Sequence, residues 1–280
     1  MRNKNYAEKP LQVAYLGPEG SFTQGATLKQ FGGSIAPKPM STISDVFNAV
    51  EQGNANYGVV PVENSTEGMV SHTLDRFITT PLKINGEISL RIHHYLLSKE
   101  TSLSDVVKIY SHPQALAQCR QWLANHCPDC ELIAVNSNSK AAEMVASERG
   151  SAAIAANKAA EIYYLVTLAS NIEDEVDNTT RFLVIGRQDI SPSGHDKTAL
   201  LVSTKNEPGA LNTILEPLAK SGITMTRIES RPSRQGVWEY VFFIDIEGHR
   251  EDSNIAKALA ELKEASSMFK VLGSYPKAVL

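Results

Sequence analysis

The stretch that most restricts the fold is Tyr57–Val70, YGVVPVENSTEGMV. Tyr57, Gly58, Val59 and Val60 read as the end of a buried strand, and Pro61 predicts its break. A dense polar set follows, Glu63, Asn64, Ser65, Thr66 and Glu67. An apolar-periodic run then starts at Met69 and Val70 and continues through Leu74 and Phe77, which predicts a helix over 69–78. A strand, a tight crossing and a helix N-terminus are the parts of an open α/β sheet. In such sheets ligands bind at the carboxyl ends of strands, where helix N–H groups point at anions. One of Asn64, Ser65 and Thr66 could simply cap the helix. A single cap accounts for one polar residue and leaves four.

The same alternation runs through most of the 280 residues. Leu11–Leu16 is a strand, broken by Gly17-Pro18-Glu19-Gly20, and Ser21 can cap a helix over 22–31. An extended piece over 34–39, a helix around Val46, Phe47 and Val50, and the Tyr57 strand complete a largely parallel unit. Residues 82–97 read as two extended segments. A second α/β unit then holds strands near Val106–Tyr110, Leu132–Val135 and Ser151–Ala155. Its helices start at Ser111-His112-Pro113-Gln114 (running through Leu123), at Ser137 or Asn138, and at Asn157. Phe182–Ile185 is a buried-type strand that returns to the first unit. The expected division is lobe one over 11–85 plus 165–188 and lobe two over 86–164, with a cleft between them. Residues 191–196 have linker composition. Beyond them the order is strand, helix, strand, strand, helix, strand, the split βαβ or ferredoxin-like layout.

Composition sets limits on partners. Twenty-seven basic and 31 acidic residues leave a net charge of −4 without a basic stripe, so nucleic acid is not an expected partner. No apolar run reaches the length of a membrane span, and MRNKNYAEKP lacks an apolar core, so a cytoplasmic protein is expected. Cys119, Cys127 and Cys130 are odd in number and clustered, which fits free thiols better than a disulfide framework or half a zinc site. His93 and His94 lack a third ligand nearby, so no metal is expected. Three polar clusters can carry chemistry: 63–66, 111–114, and Asn178-Thr179-Thr180-Arg181. Arg181 could clamp a carboxylate or form a surface ion pair. His112 could serve as acid or base, or bond its own helix start.

These residues also carry a resemblance. Tyr15–Phe22 (YLGPEGSF), Val60–Gly68 (VPVENSTEG), Ser111–Gln114 (SHPQ) and Thr180-Arg181-Phe182 are similar, in order, to the motifs of the prephenate dehydratase family. Gly209-Ala210-Leu211 and Glu229-Ser230-Arg231-Pro232 resemble the paired phenylalanine-binding motifs of an ACT regulatory domain. The family often has threonine at Ser21 and an aliphatic residue at Thr66.

The resemblance implies an α/β, two-lobed, periplasmic-binding-protein-like catalytic domain over 1–190 and a ferredoxin-like (βαββαβ) ACT domain over 197–280. It implies the monofunctional type, with no room for a chorismate mutase domain. The implied reaction turns prephenate into phenylpyruvate without a cofactor, and L-phenylalanine inhibits it. An arogenate dehydratase and a non-enzymatic small-acid sensor are the alternatives. Thr180 would assist the leaving hydroxyl, with Glu63 as rival acid and Asn64 beside them. Ser21, Ser65, Ser111, His112, Gln114, Arg181 and Phe182 would bind substrate. Gly209, Ala210, Leu211, Glu229, Ser230, Arg231 and Pro232 would bind phenylalanine between two subunits. A homo-oligomer, dimer or tetramer, is therefore expected.

Overall fold

The structure is a computed structural model that describes residues 10–204, 207–232 and 240–278. In the first lobe β1 (Gln12–Leu16), α1 (Phe22–Phe31), β2 (Ala36–Met40), α2 (Ile43–Glu51), β3 (Tyr57–Asn64), β4 (Gly68–Met69), α3 (Ser71–Thr79) and β5 (Lys83–Arg91) follow in order. Ser21 caps α1. Thr42 and Asp45 form a reciprocal capping box on α2.

The second lobe holds β6 (Tyr95–Ser98), β7 (Lys108–Ser111), α4 (Pro113–Gln118), α5 (Arg120–His126), β8 (Glu131–Ala134), α6 (Asn138–Val145), β9 (Ser151–Ala155), α7 (Asn157–Tyr163) and β10 (Val166–Ser170). Then β11 (Thr179–Gly186) returns to the first sheet and inserts between β3 and β5. The two sheets have the orders β2-β1-β3-β11-β5, with β4 paired to β3, and β10-β6-β9-β7-β8.

Several expectations change here. The strand does not break at Pro61 but runs to Asn64. The ladder to β1 ends at Val59 and β4 pairs only with Glu63 and Asn64, so at Pro61 itself β11 alone is the ladder partner of β3. The Pro61 carbonyl accepts from Thr73 Oγ1 on the open side, at 2.6 Å. A strand residue's N and C=O point the same way, so the missing N–H faces no ladder partner. The polar set is therefore a strand end and a hairpin turn. Helix α3 starts later, after Val70, with no side-chain cap.

The lobe boundaries also move. β5 pairs with β11 from Lys83 to Arg91, so lobe one extends past residue 85. β10 pairs with β6, so lobe two extends past residue 164. Finally, the helix expected from Pro113 through Leu123 is two helices. The Asp174 carboxylate caps a fresh start by accepting from the N–H groups of Gln121 and Trp122, at 3.0 and 3.2 Å.

The C-terminal domain is βαββαβ: β12 (Asp196–Ser203), α8 (Ala210–Lys220), β13 (Met225–Pro232), β14 (Tyr240–Glu247), α9 (Ser253–Ala265) and β15 (Met268–Pro276), in sheet order β13-β14-β12-β15. Asp196, expected in the linker, opens β12. One face of this sheet packs Leu200, Val202, Ile244 and Ile246 under the two helices. The other face sends Ala199, Leu201, Phe243 and Leu272 into a single core with Val46, Phe47, Phe77 and Ile84 of lobe one. β15 lies so close to β5 that a Cβ on Gly273 would stand 2.2 Å from the Ile84 carbonyl oxygen. Among the described residues no helix is long and apolar enough to cross a membrane.

Candidate active site

A pocket of about 250 Å³ opens between the two sheets. Lobe one contributes Phe22, Thr23, Pro61, Asn64, Thr180 and Phe182. Ile92 and His94 come from the crossing between lobes. His112, Gln114, Gln118 and Asn138 come from lobe two, and Asn178 from the strand return. Among the described residues its walls are amides, hydroxyls, imidazoles and apolar side chains, with no lysine or arginine.

The amide orientations follow from one anchor. Asn64 Oδ1 accepts from the backbone N–H groups of Thr66 and Glu67, both at 3.0 Å, and a backbone N–H can only donate. Asn64 Nδ2 must therefore be the donor to Thr180 Oγ1 and to Asn178 Oδ1, both at 2.8 Å. Asn178 Nδ2 then donates to Gln118 Oε1 at 3.2 Å. The same oxygen faces His94 Nε2 at 2.8 Å, which places the proton of that imidazole on Nε2. Burial holds the His94 pKa below its ordinary value, although the Gln118 hydrogen bond pulls the other way, so the ring is neutral near pH 7.

The consequence falls on Thr180. Its oxygen already accepts from Asn64, so its own proton is free to point into the pocket. The turn at Ser65 is tied to β11, with Thr179 N–H donating to Ser65 Oγ at 3.0 Å. That brace holds the Asn64–Thr180 rung.

The expected residues divide. Thr180, Asn64, His112, Gln114 and Phe182 line the pocket. His112 also caps α4, its Nδ1 accepting from Gln114 N–H at 3.3 Å. Ser21 is a helix cap and Ser65 a turn brace, and neither lines the pocket. Ser111 is fully buried, 2.9 Å from Asn138 Oδ1, and positions that amide without reaching the pocket itself.

Glu63 and Arg181 are corrections. Strand parity turns both away from Asn64 and Thr180, and they pair with each other at 3.2 Å on the far side of the sheet. Glu63 is thus not placed to protonate a leaving group, nor Arg181 to clamp a carboxylate. Gln118, Asn178, His94 and Asn138 were not expected as site residues. Asn178 stood in a noted cluster, and Asn138 read as a cap, whereas nothing in the periodicity marks Gln118.

A family model described as prephenate dehydratase matches residues 13–190, and one described as ACT domain matches 198–264. The chain belongs to the prephenate dehydratase family. A bifunctional chorismate mutase/prephenate dehydratase of Stutzerimonas stutzeri is 56% identical over 274 residues, 98% of this chain and 75% of that relative. A prephenate dehydratase from Arthrobacter aurescens, solved with L-Phe, superposes with a TM-score of 0.88 at 36% identity, covering 95% of this chain and 90% of that one. GqqA, described as a novel type of quorum quenching acylase, superposes with a TM-score of 0.87 at 33% identity, covering 95% of this chain and 97% of that one.

The ACT motifs of this prephenate dehydratase family member occupy both faces of one sheet. Gly209, at φ 82°, is the N-cap of α8, and Ala210 and Leu211 form the first turn. Ser230 stands opposite Phe242 and therefore on the helix-covered face. Glu229 and Arg231 stand opposite Phe243 and Val241, on the face toward lobe one. Arg231 is engaged there by Asp75 at 2.9 Å and by Ser71 Oγ at 2.9 Å. Arg231, expected to bind phenylalanine, thus turns its guanidinium toward α3 in this chain. Pro232, the last residue of β13, lies opposite Tyr240.

Proposed function

We propose that the protein converts prephenate to phenylpyruvate, and that L-phenylalanine bound at its ACT domain inhibits the reaction. The observation that carries the reading is the Thr180 hydroxyl, held as an acceptor by Asn64 with its proton free. Prephenate stores the driving force, because its elimination makes an aromatic ring. The bond between the ring and its carboxylate breaks, its electron pair enters the ring, and the hydroxyl leaves with the pair that held it. One proton from solvent balances water, carbon dioxide and phenylpyruvate. The Thr180 hydroxyl is a feeble acid. Its role is a hydrogen bond to the departing oxygen, strongest as charge develops.

Neutral walls fit the other half of the chemistry. The carboxylate that leaves as carbon dioxide loses its charge on the way, so weak solvation by Phe22, Phe182 and Ile92 favours its departure. The pyruvyl carboxylate is kept, and the amides of Gln114 and Asn138 are donors suited to it. This replaces the arginine clamp with neutral hydrogen bonding. An acylase activity such as that named for GqqA, if it ran through the Thr180 hydroxyl as nucleophile, would need a base beside it. Thr180 has an amide there, so dehydration is favoured.

The ACT effector site is read at Gly209–Leu211 and Ser230, facing a second copy. Exposed Leu211, Met225, Ile228 and Tyr240 support a homo-oligomer. The deciding test incubates the protein with prephenate and, separately, with arogenate, following phenylpyruvate or phenylalanine. Turnover of prephenate with the higher kcat/KM is expected. Preference for arogenate would change the substrate, and no turnover of either would favour a sensor.

A further inference from the structure

Thr180 is held from two sides, and one of them lies outside the catalytic lobes. Between Thr180 and Phe182, Arg181 points through the back of the sheet at the C-terminal domain. Its Nη1 lies 3.0 Å from Asp245 Oδ2 on β14 and 3.3 Å from Glu87 Oε2 on β5, and its Nη2 lies 3.2 Å from Glu63 Oε2. The Asp245 and Glu87 side chains are only 4% and 3% exposed, so little water competes for these contacts. Asp245 is shared with Arg227 at 3.2 Å, and Glu87 with Lys197 at 2.9 Å. Three carboxylates thus face three cations, and the balance holds only when both domains contribute. A buried ion cluster that loses one member leaves an uncompensated charge, which is costly.

The cluster shares its backbone with the site. In the β3–β11 ladder Arg181 stands opposite Glu63, and the adjacent rung is Thr180 opposite Asn64. The β3–β11 register also shifts between Arg181 and Phe182, so the ladder itself holds this segment less regularly. A sideways pull on the guanidinium is therefore carried one residue along the strand, to the hydroxyl that faces the pocket.

We propose that Asp245 of the ACT domain is a positioning residue for the dehydration. Through Arg181 it holds the Thr180–Asn64 rung in place, and an effector that displaces β14 acts on the reaction along this line. The inference rests on the role given to Thr180 above. It places regulation in the geometry of one hydrogen-bond donor and leaves pocket access untouched.

The test is steady-state kinetics of full-length Asp245→Asn in two backgrounds, wild type and Thr180→Ala. A misplaced donor costs up to about a hundredfold, and Asn keeps the shape of Asp, so kcat should fall by about tenfold with KM within about twofold. In the Thr180→Ala background the same change should alter the residual kcat by less than about twofold, because the group it positions is gone. Inhibition by L-phenylalanine should weaken in Asp245→Asn. A wild-type kcat in Asp245→Asn, or equal-fold losses in both backgrounds, would overturn the proposal. If Asp245→Asn does not fold, as judged by circular dichroism, the partly exposed Glu63→Gln is put through the same cycle with the same criteria. Absence of turnover in the wild type would remove the dehydratase reading as well, so the two failures are told apart by the first measurement.

Discussion

The Asn64 amide offers a test that changes a single atom. Asn64→Asp keeps an oxygen for the Thr66 and Glu67 N–H groups and replaces the Nδ2 donor with a second oxygen. The Thr180 proton would then turn to that carboxylate and away from the pocket. We expect kcat to fall by about 10²-fold, as for Thr180→Ala, with little change in KM. Retained activity in either variant would remove Thr180 from the chemistry. Arg181→Lys should lower kcat and leave KM within about twofold, because a lysine cannot serve three carboxylates. A large rise in KM would return Arg181 to the substrate. His94 gives a pH signature. Its folded pKa lies below the ordinary value of about 6.5. Below that pH the unfolded chain takes up a proton that the folded chain resists, so stability present above about pH 6.5 is lost as pH falls further. Melting curves across that range should be flatter for His94→Gln, and superimposable profiles would clear His94. At this scale the pocket was half legible. Thr180, Asn64, His112, Gln114 and Phe182 stood in motifs. Glu63 and Arg181 were misplaced because a strand ending at Pro61 has no parity to impose on the residues beyond it. A strand running to Asn64 forces neighbours onto opposite faces.

Among the elements, strands and helices were largely readable, since apolar runs and caps such as Ser21, Thr42 and Ser137 announce them. What escaped was long-range. Asp174 splits one helix into two from 50 residues away, and no local pattern encodes that. β15 shows the same limit, because the close approach to β5 appears in the sequence only as one glycine. Gly273→Ala must push the strands apart, and we expect a loss of about 1–3 kcal/mol, read as a lower Tm. An unchanged Tm would mean that the β5–β15 seam relaxes freely. At α8 the cost is conformational. Among the described residues nothing lies within 4 Å of a Cβ on Gly209, but its φ of 82° suits no branched residue. Gly209→Val should therefore reshape the start of α8 and abolish the fall in rate on L-phenylalanine titration. An unaltered titration would move the effector elsewhere.

For the molecule as a whole, the linker composition of 191–196 suggested a tethered regulatory domain, whereas the ACT sheet is seated on lobe one through a common core. A sign of this was present in β12. Ala199, Leu200, Leu201 and Val202 are consecutive and apolar, as in a strand covered on both faces. Only two helices were available to cover one of them. Removing residues 191–280 would expose Phe77 and Ile84, so the truncated protein should aggregate or lose its cooperative melt. A soluble truncation with a sharp transition would show that lobe one is complete without its partner.

One further consequence follows from the way β11 separates two neighbours. Thr180 looks into a reaction chamber and Arg181 into a regulatory joint, with a single peptide unit between them. The strand can thus accept almost no change in its residue count. Deleting one residue ahead of Thr180 would exchange their outlooks, presenting a guanidinium to the reactants and a hydroxyl to the regulator. Deleting two would restore the outlooks but slide both by about 7 Å along the sheet, past Asn64 and past Asp245. Catalysis and control are tied to the same reading frame of side chains, so drift in the length of this segment would cost the protein both at once.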